Sequence, residues 1–175
     1  MKISNSLWKF IGFTVTVTFG TLLHFLYDWT DESIILAPFS AVNESTWEHM
    51  KLMFFPMFIF ALIESRYFKD QKNFWCIKLL GTLTGLFLIP ILFYTYNGMF
   101  GRSPDWVNIA IFFVSTAIAY IIETILTKKD SLPCPSPLTA FLFMCLIAVM
   151  FVLFTFYTPH IPLFIDPISK AYGLT

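Results

Sequence analysis

Polar chemistry is concentrated in residues 43–51, at the start of a long apolar segment. This stretch reads Asn-Glu-Ser-Thr-Trp-Glu-His-Met-Lys and contains two carboxylates, an imidazole and an amine. Ionisable groups at the mouth of an apolar helix usually pair with one another, face a hydrated cavity or bind a ligand. The candidate site residues in it are Asn43, Glu44, Trp47, Glu48, His49 and Lys51.

A second imidazole, His24, lies near the end of the preceding apolar segment, and Asp28 follows it four residues later. Consecutive membrane helices run antiparallel, so His24 and His49, each about one turn from a helix end, should reach similar depths. We therefore predict that the two rings meet in a shared recess. Glu44 and Glu48 are close to the same level in the sequence.

Three interpretations of these residues stay open, and the first is helix capping. Ser45 and Glu48 have the spacing of a capping box, in which the Glu48 carboxylate would answer the backbone amide of Ser45.

The second interpretation is a metal site and the third is a site that exchanges protons or binds a small solute. His24 and His49 with Glu48, or with Glu44 or Asp28, supply the nitrogen and oxygen ligands that zinc accepts. With one open position the metal would activate water, and one of the three carboxylates would be a ligand or a catalytic base. The spacing matches no known zinc-protease motif. Proton exchange would use the same imidazoles and carboxylates.

Other polar and aromatic residues have simpler explanations. Trp29, Trp47 and Trp106, with Tyr94 and Tyr96, fall near the predicted outer interface and are typical of an aromatic belt.

Two acids are predicted at the other end of the helices. Glu64 and Glu123 are expected near the inner helix ends, where they either pair locally with Arg66 and Lys128 or extend their carboxylates to the membrane interface.

The composition indicates what class of protein carries these polar residues. The chain has 175 residues, of which 57% are hydrophobic and 13% charged, whereas a soluble domain carries roughly a quarter charged residues. It is therefore predicted to be a polytopic membrane protein with one transmembrane domain, residues 1–175. Because the net charge is zero, no bulk electrostatic attraction to nucleic acid is expected.

Five apolar segments each approach the roughly 20 residues that cross the hydrocarbon core. The predicted fold is an all-α bundle of five transmembrane helices, because helices satisfy their own backbone in lipid. The predicted helices are 7–27, 46–67, 74–97, 105–127 and 137–157, with an outer loop over 28–45 and an outer tail over 158–175. The first segment is interpreted as an uncleaved helix. The tail is expected to fold back over the outer helix ends, where His160 and Asp166 could cover the polar cluster.

The distribution of Lys and Arg predicts the orientation in the cell membrane. Eight of the eleven fall on one side: Lys2, Lys9, Arg66, Lys69, Lys72, Lys78, Lys128 and Lys129. By the positive-inside rule the N-terminus is cytoplasmic and the C-terminus extracytoplasmic. Cys76 and Cys134 then lie on the cytoplasmic side, so no structural disulfide is expected.

Glycines at four-residue or eight-residue spacing predict close helix contacts. Gly12 and Gly20 share a face of the first helix, and Gly81 and Gly85 share a face of the third. These faces favour helix packing within the bundle or a homo-oligomer. The other expected partners are the lipid bilayer and a small-molecule or lipid ligand.

Two motifs resemble a family of small bacterial membrane proteins of unknown function. The first runs from His24 to Lys51 and ends in Asn-Glu-Ser-x-Trp-Glu-His-x-Lys. The second is the tail Pro-His-Ile-Pro-Leu-Phe-x-Asp, residues 159–166, followed by Tyr172 and Gly173. The resemblance covers essentially the whole chain. It implies a bacterial origin and carries no activity with it.

Three functions therefore remain open at this point. The polar site could belong to a metal-dependent membrane hydrolase or transferase acting on a lipid-linked or envelope substrate, with zinc as the cofactor. It could instead bind a small solute in a proton-coupled transporter. In the third alternative the protein is a structural or partner-binding subunit, and the cluster only caps and packs helices.

Overall fold

The computed structural model describes residues 4–129, 134 and 136–174. Five helices follow one another along the chain: α1 (Asn5–Trp29), α2 (Thr46–Glu64), α3 (Phe74–Phe100), α4 (Asp105–Thr127) and α5 (Pro137–Phe156). A short 3₁₀ turn, Pro162–Phe164, lies in the tail. These described residues contain no β-strand, and their one isolated bridge joins Ile165 to Tyr172. The all-helical prediction is therefore confirmed.

The helix α2 is the centre of the bundle. It packs against all four other helices, and most of its residues are buried. A helix that is apolar on every side is typical of a buried position. In the described part of the chain, α1, α3, α4 and α5 are long and apolar enough to cross a membrane. The predicted end of α2 at Tyr67 is wrong, since the helix ends at Glu64 and turns follow.

Four buried charges, one from each of the first four helices, pair at one end of the bundle. Lys9 Nζ lies 2.8 Å from Glu64 Oε1 and 2.8 Å from Glu123 Oε2. Lys78 Nζ donates to Glu123 Oε2 at 2.7 Å and also pairs with Glu64. We refer to Lys9, Glu64, Lys78 and Glu123 as the charge quartet. Its two positive and two negative charges sum to zero, which is the condition for burying ions in an apolar bundle.

The predicted pairing of Glu64 and Glu123 with Arg66 and Lys128 is wrong. The two carboxylates point into the bundle, whereas Arg66 and Lys128 are exposed. Water can solvate exposed cations, but only another side chain can compensate a carboxylate buried among helices.

The glycine faces pack against other helices of the same chain. A Cβ on Gly20 would lie 2.6 Å from Phe112 of α4 and 2.8 Å from the Leu52 carbonyl oxygen of α2. A Cβ on Gly85 would lie 2.7 Å from Met53 of α2. The glycines thus let helices approach closely, and a homo-oligomer would need a different surface.

Cys76 and Cys134 form a disulfide, so the prediction that they stay unpaired is wrong. Cys76 lies in the first turn of α3 and Cys134 in the connection between α4 and α5. Their Cα atoms are 6.0 Å apart, a separation that a disulfide spans. The prediction used the expected compartment and did not consider that helix packing brings the two residues together.

Replacing Lys78 with Met should destabilise the protein by about 3–5 kcal/mol, because one cation would remain for two buried carboxylates. Adding Glu64→Gln to Lys78→Met leaves one cation and one carboxylate and so restores the balance of charge. The double variant should therefore lose less stability than the sum of the losses of the two single variants. Thermal unfolding in detergent micelles measures these losses. Lys72→Met is the control, since Lys72 is exposed. Equal losses for Lys72→Met and Lys78→Met would contradict this role of the quartet.

Candidate functional site

His24 and His49 face each other at the end of the bundle opposite the charge quartet. His24 lies just over one turn before the end of α1, and His49 lies in the first turn of α2. The antiparallel packing of the two helices places the ring centroids 5.4 Å apart in an edge-to-face arrangement. The prediction that the two imidazoles meet is therefore confirmed.

Glu44 bridges the two rings. Its Oε1 lies 3.5 Å from His24 Nε2, and its Oε2 lies 3.6 Å from His49 Nε2. One ligand atom from each residue lies within 4.8 Å of the other two. Two imidazoles and one carboxylate form a ligand set found in catalytic zinc sites. We refer to His24, Glu44 and His49 as the three-residue cluster.

The backbone fixes which nitrogen of His49 faces the cluster. Its Nδ1 lies 2.9 Å from the Ser45 carbonyl oxygen, which can only accept a hydrogen bond. Nδ1 therefore carries the proton, and Nε2 of the neutral ring keeps its lone pair toward Glu44. Metal-binding histidines typically have this outer hydrogen bond, which orients the ring.

Glu44 is partly exposed, with 39% of its side chain accessible to solvent. The polar contact with the His24 imidazole holds the pKa of the Glu44 carboxyl below its usual value. Burial opposes this effect. The net result is an ionised carboxylate between two imidazoles.

The loop that carries Glu44 is anchored on both sides. Asn43 Oδ1 accepts from the Ser45 amide at 2.9 Å, and Asn43 Nδ2 donates to the Gly173 carbonyl in the tail at 2.9 Å. Ser45 Oγ accepts from the Glu48 amide at 3.4 Å and so caps α2. The predicted capping box is only half formed, because Asn43 answers the Ser45 amide in place of Glu48.

Glu48 belongs to a separate buried ion pair with Lys51. The Glu48 carboxylate pairs with the Lys51 amine and accepts from the Val42 amide at 3.0 Å. Lys51 also donates to the Ala37 carbonyl at 2.8 Å and to Thr155 Oγ1 at 3.2 Å. Both side chains are therefore used to hold the loop over 28–45 against the bundle. Of the three carboxylates considered as a third ligand, Glu44 lies beside the two imidazoles, whereas Glu48 is held by Lys51.

A cavity of about 580 Å³ adjoins the three-residue cluster. Asp105 and Asn108 line it from the first turn of α4. Its remaining walls are largely apolar: Gly20, Thr21, Phe25, Leu52, Ile109, Phe112, Phe113 and Ile168. Asp28 does not line this cavity and is exposed one turn beyond His24.

The predicted aromatic belt is only partly correct. Trp29 and Trp106 are exposed, whereas Trp47 is buried against Phe151 and Phe164. Trp47 is thus a core residue rather than an interfacial anchor.

The two tyrosines contact other parts of the outer surface. The Tyr94 hydroxyl donates to the Pro162 carbonyl at 2.8 Å, and the Tyr96 ring packs against Phe100. Neither tyrosine lines the cavity.

The tail folds back over the bundle, as expected, but its polar residues do not join the cluster. The His160 ring packs against Tyr172, and the Asp166 carboxylate accepts from the Ile168 amide and from Ser169. Ile168 is the tail residue that reaches the cavity. Sequence reasoning also missed Asp105 and Asn108 of α4, because only the packing of α4 against α1 brings them to the site.

No curated protein and no solved structure matches the chain. A family model described as "Family of unknown function (DUF6512)" matches residues 1–174.

The affinity of the cluster for Zn²⁺ should fall as the pH is lowered from about 7 to about 5, because zinc binds neutral imidazoles and protons compete for the same nitrogen atoms. Glu44 should stay ionised there, since its pKa is lowered. Titration calorimetry on the purified protein measures the affinity. Glu44→Gln should weaken binding at every pH, and Glu32→Gln, at an exposed loop acid, should not. Binding that does not change with pH would exclude the two imidazoles as ligands.

Proposed function

The chain belongs to this family of unknown function, and we propose that it is a multi-pass membrane protein with a zinc-type metal site that hydrolyses an ester at its extracytoplasmic face. The observation that carries the proposal is the three-residue cluster, whose ligand atoms lie within 4.8 Å of one another. A catalytic zinc site uses three protein ligands and leaves a position for water. The cavity beside the cluster gives that position access to a substrate.

In the proposed reaction, the metal ligands and the general base are different residues. His24, His49 and Glu44 would hold the metal, which would supply a bound water with a pKa of about 7. Asp105, the other carboxylate lining the cavity, takes the proton as the water oxygen attacks the ester carbon. The same proton passes to the leaving alcohol when the ester bond breaks, so the products are an acid and an alcohol.

The packing beneath the site favours a local reaction over transport. Between His49 and Glu64, α2 is filled with buried apolar side chains, among them Met53, Phe54 and Met57. These side chains pack against α1, α3 and α5 and separate the cluster from the charge quartet. Buried hydroxyl groups also lie in this layer, and Thr16 Oγ1 is 2.8 Å from the Tyr120 hydroxyl, but no described carboxylate, imidazole or amine lies between the two ends. A path for a proton or a charged solute would need such groups or water there.

The orientation rests on the exposed basic residues. Arg66, Lys69, Lys72, Lys128 and Lys129 are exposed at the quartet end, whereas Arg102 and Lys170 are exposed at the other end. Lys9, Lys51 and Lys78 are buried and give no information on orientation. The positive-inside rule then places the three-residue cluster outside the cytoplasm. The Cys76–Cys134 disulfide argues for the opposite orientation, because the proposed one would place it in the cytosol, where glutathione and thioredoxin keep most thiols reduced.

His24→Gln and His49→Gln should each abolish stoichiometric zinc binding, which elemental analysis of the purified protein measures. His160→Gln is the matched control, because His160 lies outside the cluster. Asp105→Asn should retain the metal but lower hydrolysis of a p-nitrophenyl acyl ester about 10²–10⁴-fold, the usual contribution of a general base. A wild-type protein that binds no zinc, or that binds zinc and hydrolyses no ester, would overturn the proposal.

Cysteine labelling tests the orientation. In a chain with Cys76, Cys134 and Cys145 replaced by Ser, Arg102→Cys should react with a membrane-impermeant maleimide added to intact cells. Lys72→Cys should react only after the membrane is opened. The reverse pattern would place the cluster in the cytoplasm, and the disulfide would then lie in the oxidising compartment.

A further inference from the structure

The cavity beside the three-residue cluster lies in the groove between α1 and α4, above α2. Leu52 of α2 lines it, and Gly20 allows Phe112 of α4 to pack closely against α1. Along α4 the lining runs from Asp105 to Phe113. Eight residue steps at 1.5 Å each correspond to a depth of about 12 Å. The cavity therefore extends from the mouth of the bundle into the part that lies among lipid chains.

The rim of the cavity is exposed and apolar. Phe25 is 45% exposed, Ile109 58% and Phe113 39%. All three belong to helices that are long and apolar enough to cross a membrane, so their exposed faces meet hydrocarbon rather than water. The groove thus opens sideways into the bilayer.

The ionisable and amide side chains occupy only one end of the cavity, and the hydroxyl of Thr21, one turn deeper than His24, already donates to the Val17 carbonyl at 2.8 Å. His24, Glu44 and His49 lie at its outer end with Asp105 and Asn108, and the deeper walls are formed by Leu52, Phe112 and Phe113. A ligand that fits both ends has an oxygen-bearing polar head and an apolar chain. The volume of about 580 Å³ is in the range of ligand pockets.

From this arrangement we infer that the substrate is a lipid-type amphiphile that enters sideways from the bilayer between α1 and α4. Its chain lies along Ile109, Phe112 and Phe113, and its polar head lies at the three-residue cluster. The inference rests on the proposed function for the reaction at the head group. Binding of the chain depends on the groove alone and can be measured without turnover.

The test uses the purified wild-type protein in nanodiscs and palmitic acid that carries a diazirine in its chain. Cross-links located by mass spectrometry should map to the α1 and α4 residues that line the groove. Palmitoyl lysophosphatidylglycerol should reduce these cross-links at least tenfold, whereas glycerophosphoglycerol, the same head group without the chain, should not.

Ile109→Trp fills the groove and should lower cross-linking about tenfold while zinc binding stays unchanged. Ile121→Trp is the matched control, since Ile121 is an exposed residue of α4 outside the lining. Cross-links spread equally over exposed α5 residues such as Leu142 and Leu146, or unchanged by Ile109→Trp, would overturn the inference. Normal cross-linking in the groove by a protein that binds no zinc would overturn the metal site and leave the inference standing.

Discussion

An ion buried among apolar helices must find its opposite charge inside the protein, and this constraint organises both ends of the molecule. At one end the charge quartet joins α1, α2, α3 and α4 through contacts of 2.8 Å or less. At the other end Lys51 and Glu48 pair and bind the backbone of the outer loop. The central helix α2 supplies Glu64 to the first set and both Glu48 and Lys51 to the second, so its depth and rotation are fixed at two levels.

The polar residues outside these two sets are the candidates for binding a ligand. Glu48 and Lys51 are buried and have strong partners, so they are committed to structure. Glu44 is partly exposed and contacts His24 and His49 only at 3.5 and 3.6 Å, longer than a strong hydrogen bond. Such spacing between three ligand atoms suits an ion placed among them better than it suits direct pairing. The contrast between tight and loose polar contacts is the reason that we propose the three-residue cluster, and not the Glu48–Lys51 pair, as a binding site.

Much of this arrangement could be predicted from the sequence, because apolar length and antiparallel succession fix helix positions and depths. The five helices and the meeting of His24 with His49 follow from these two properties alone. These properties do not predict which carboxylate, Glu44 or Glu48, lies beside the two imidazoles. That depends on the path of the outer loop, where the backbone of Val42 and Ala37 binds the Glu48–Lys51 pair. The partners of Glu64 and Glu123 were also missed, because they come from other helices: Lys9 is 55 residues from Glu64 and 114 from Glu123, and Lys78 is 45 residues from Glu123. Their contacts arise only when four helices pack together.

The hydrogen bond between Asn43 and the Gly173 carbonyl has a practical consequence for anyone purifying this protein. It places the last described residues of the chain beside the loop that carries Glu44. A polyhistidine affinity tag fused after Thr175 would begin close to the three-residue cluster and would bring its own imidazoles there. Such a tag would compete with His24 and His49 for a metal in any test of the proposed site. Tags are better attached to the N-terminus, at the opposite end of the bundle.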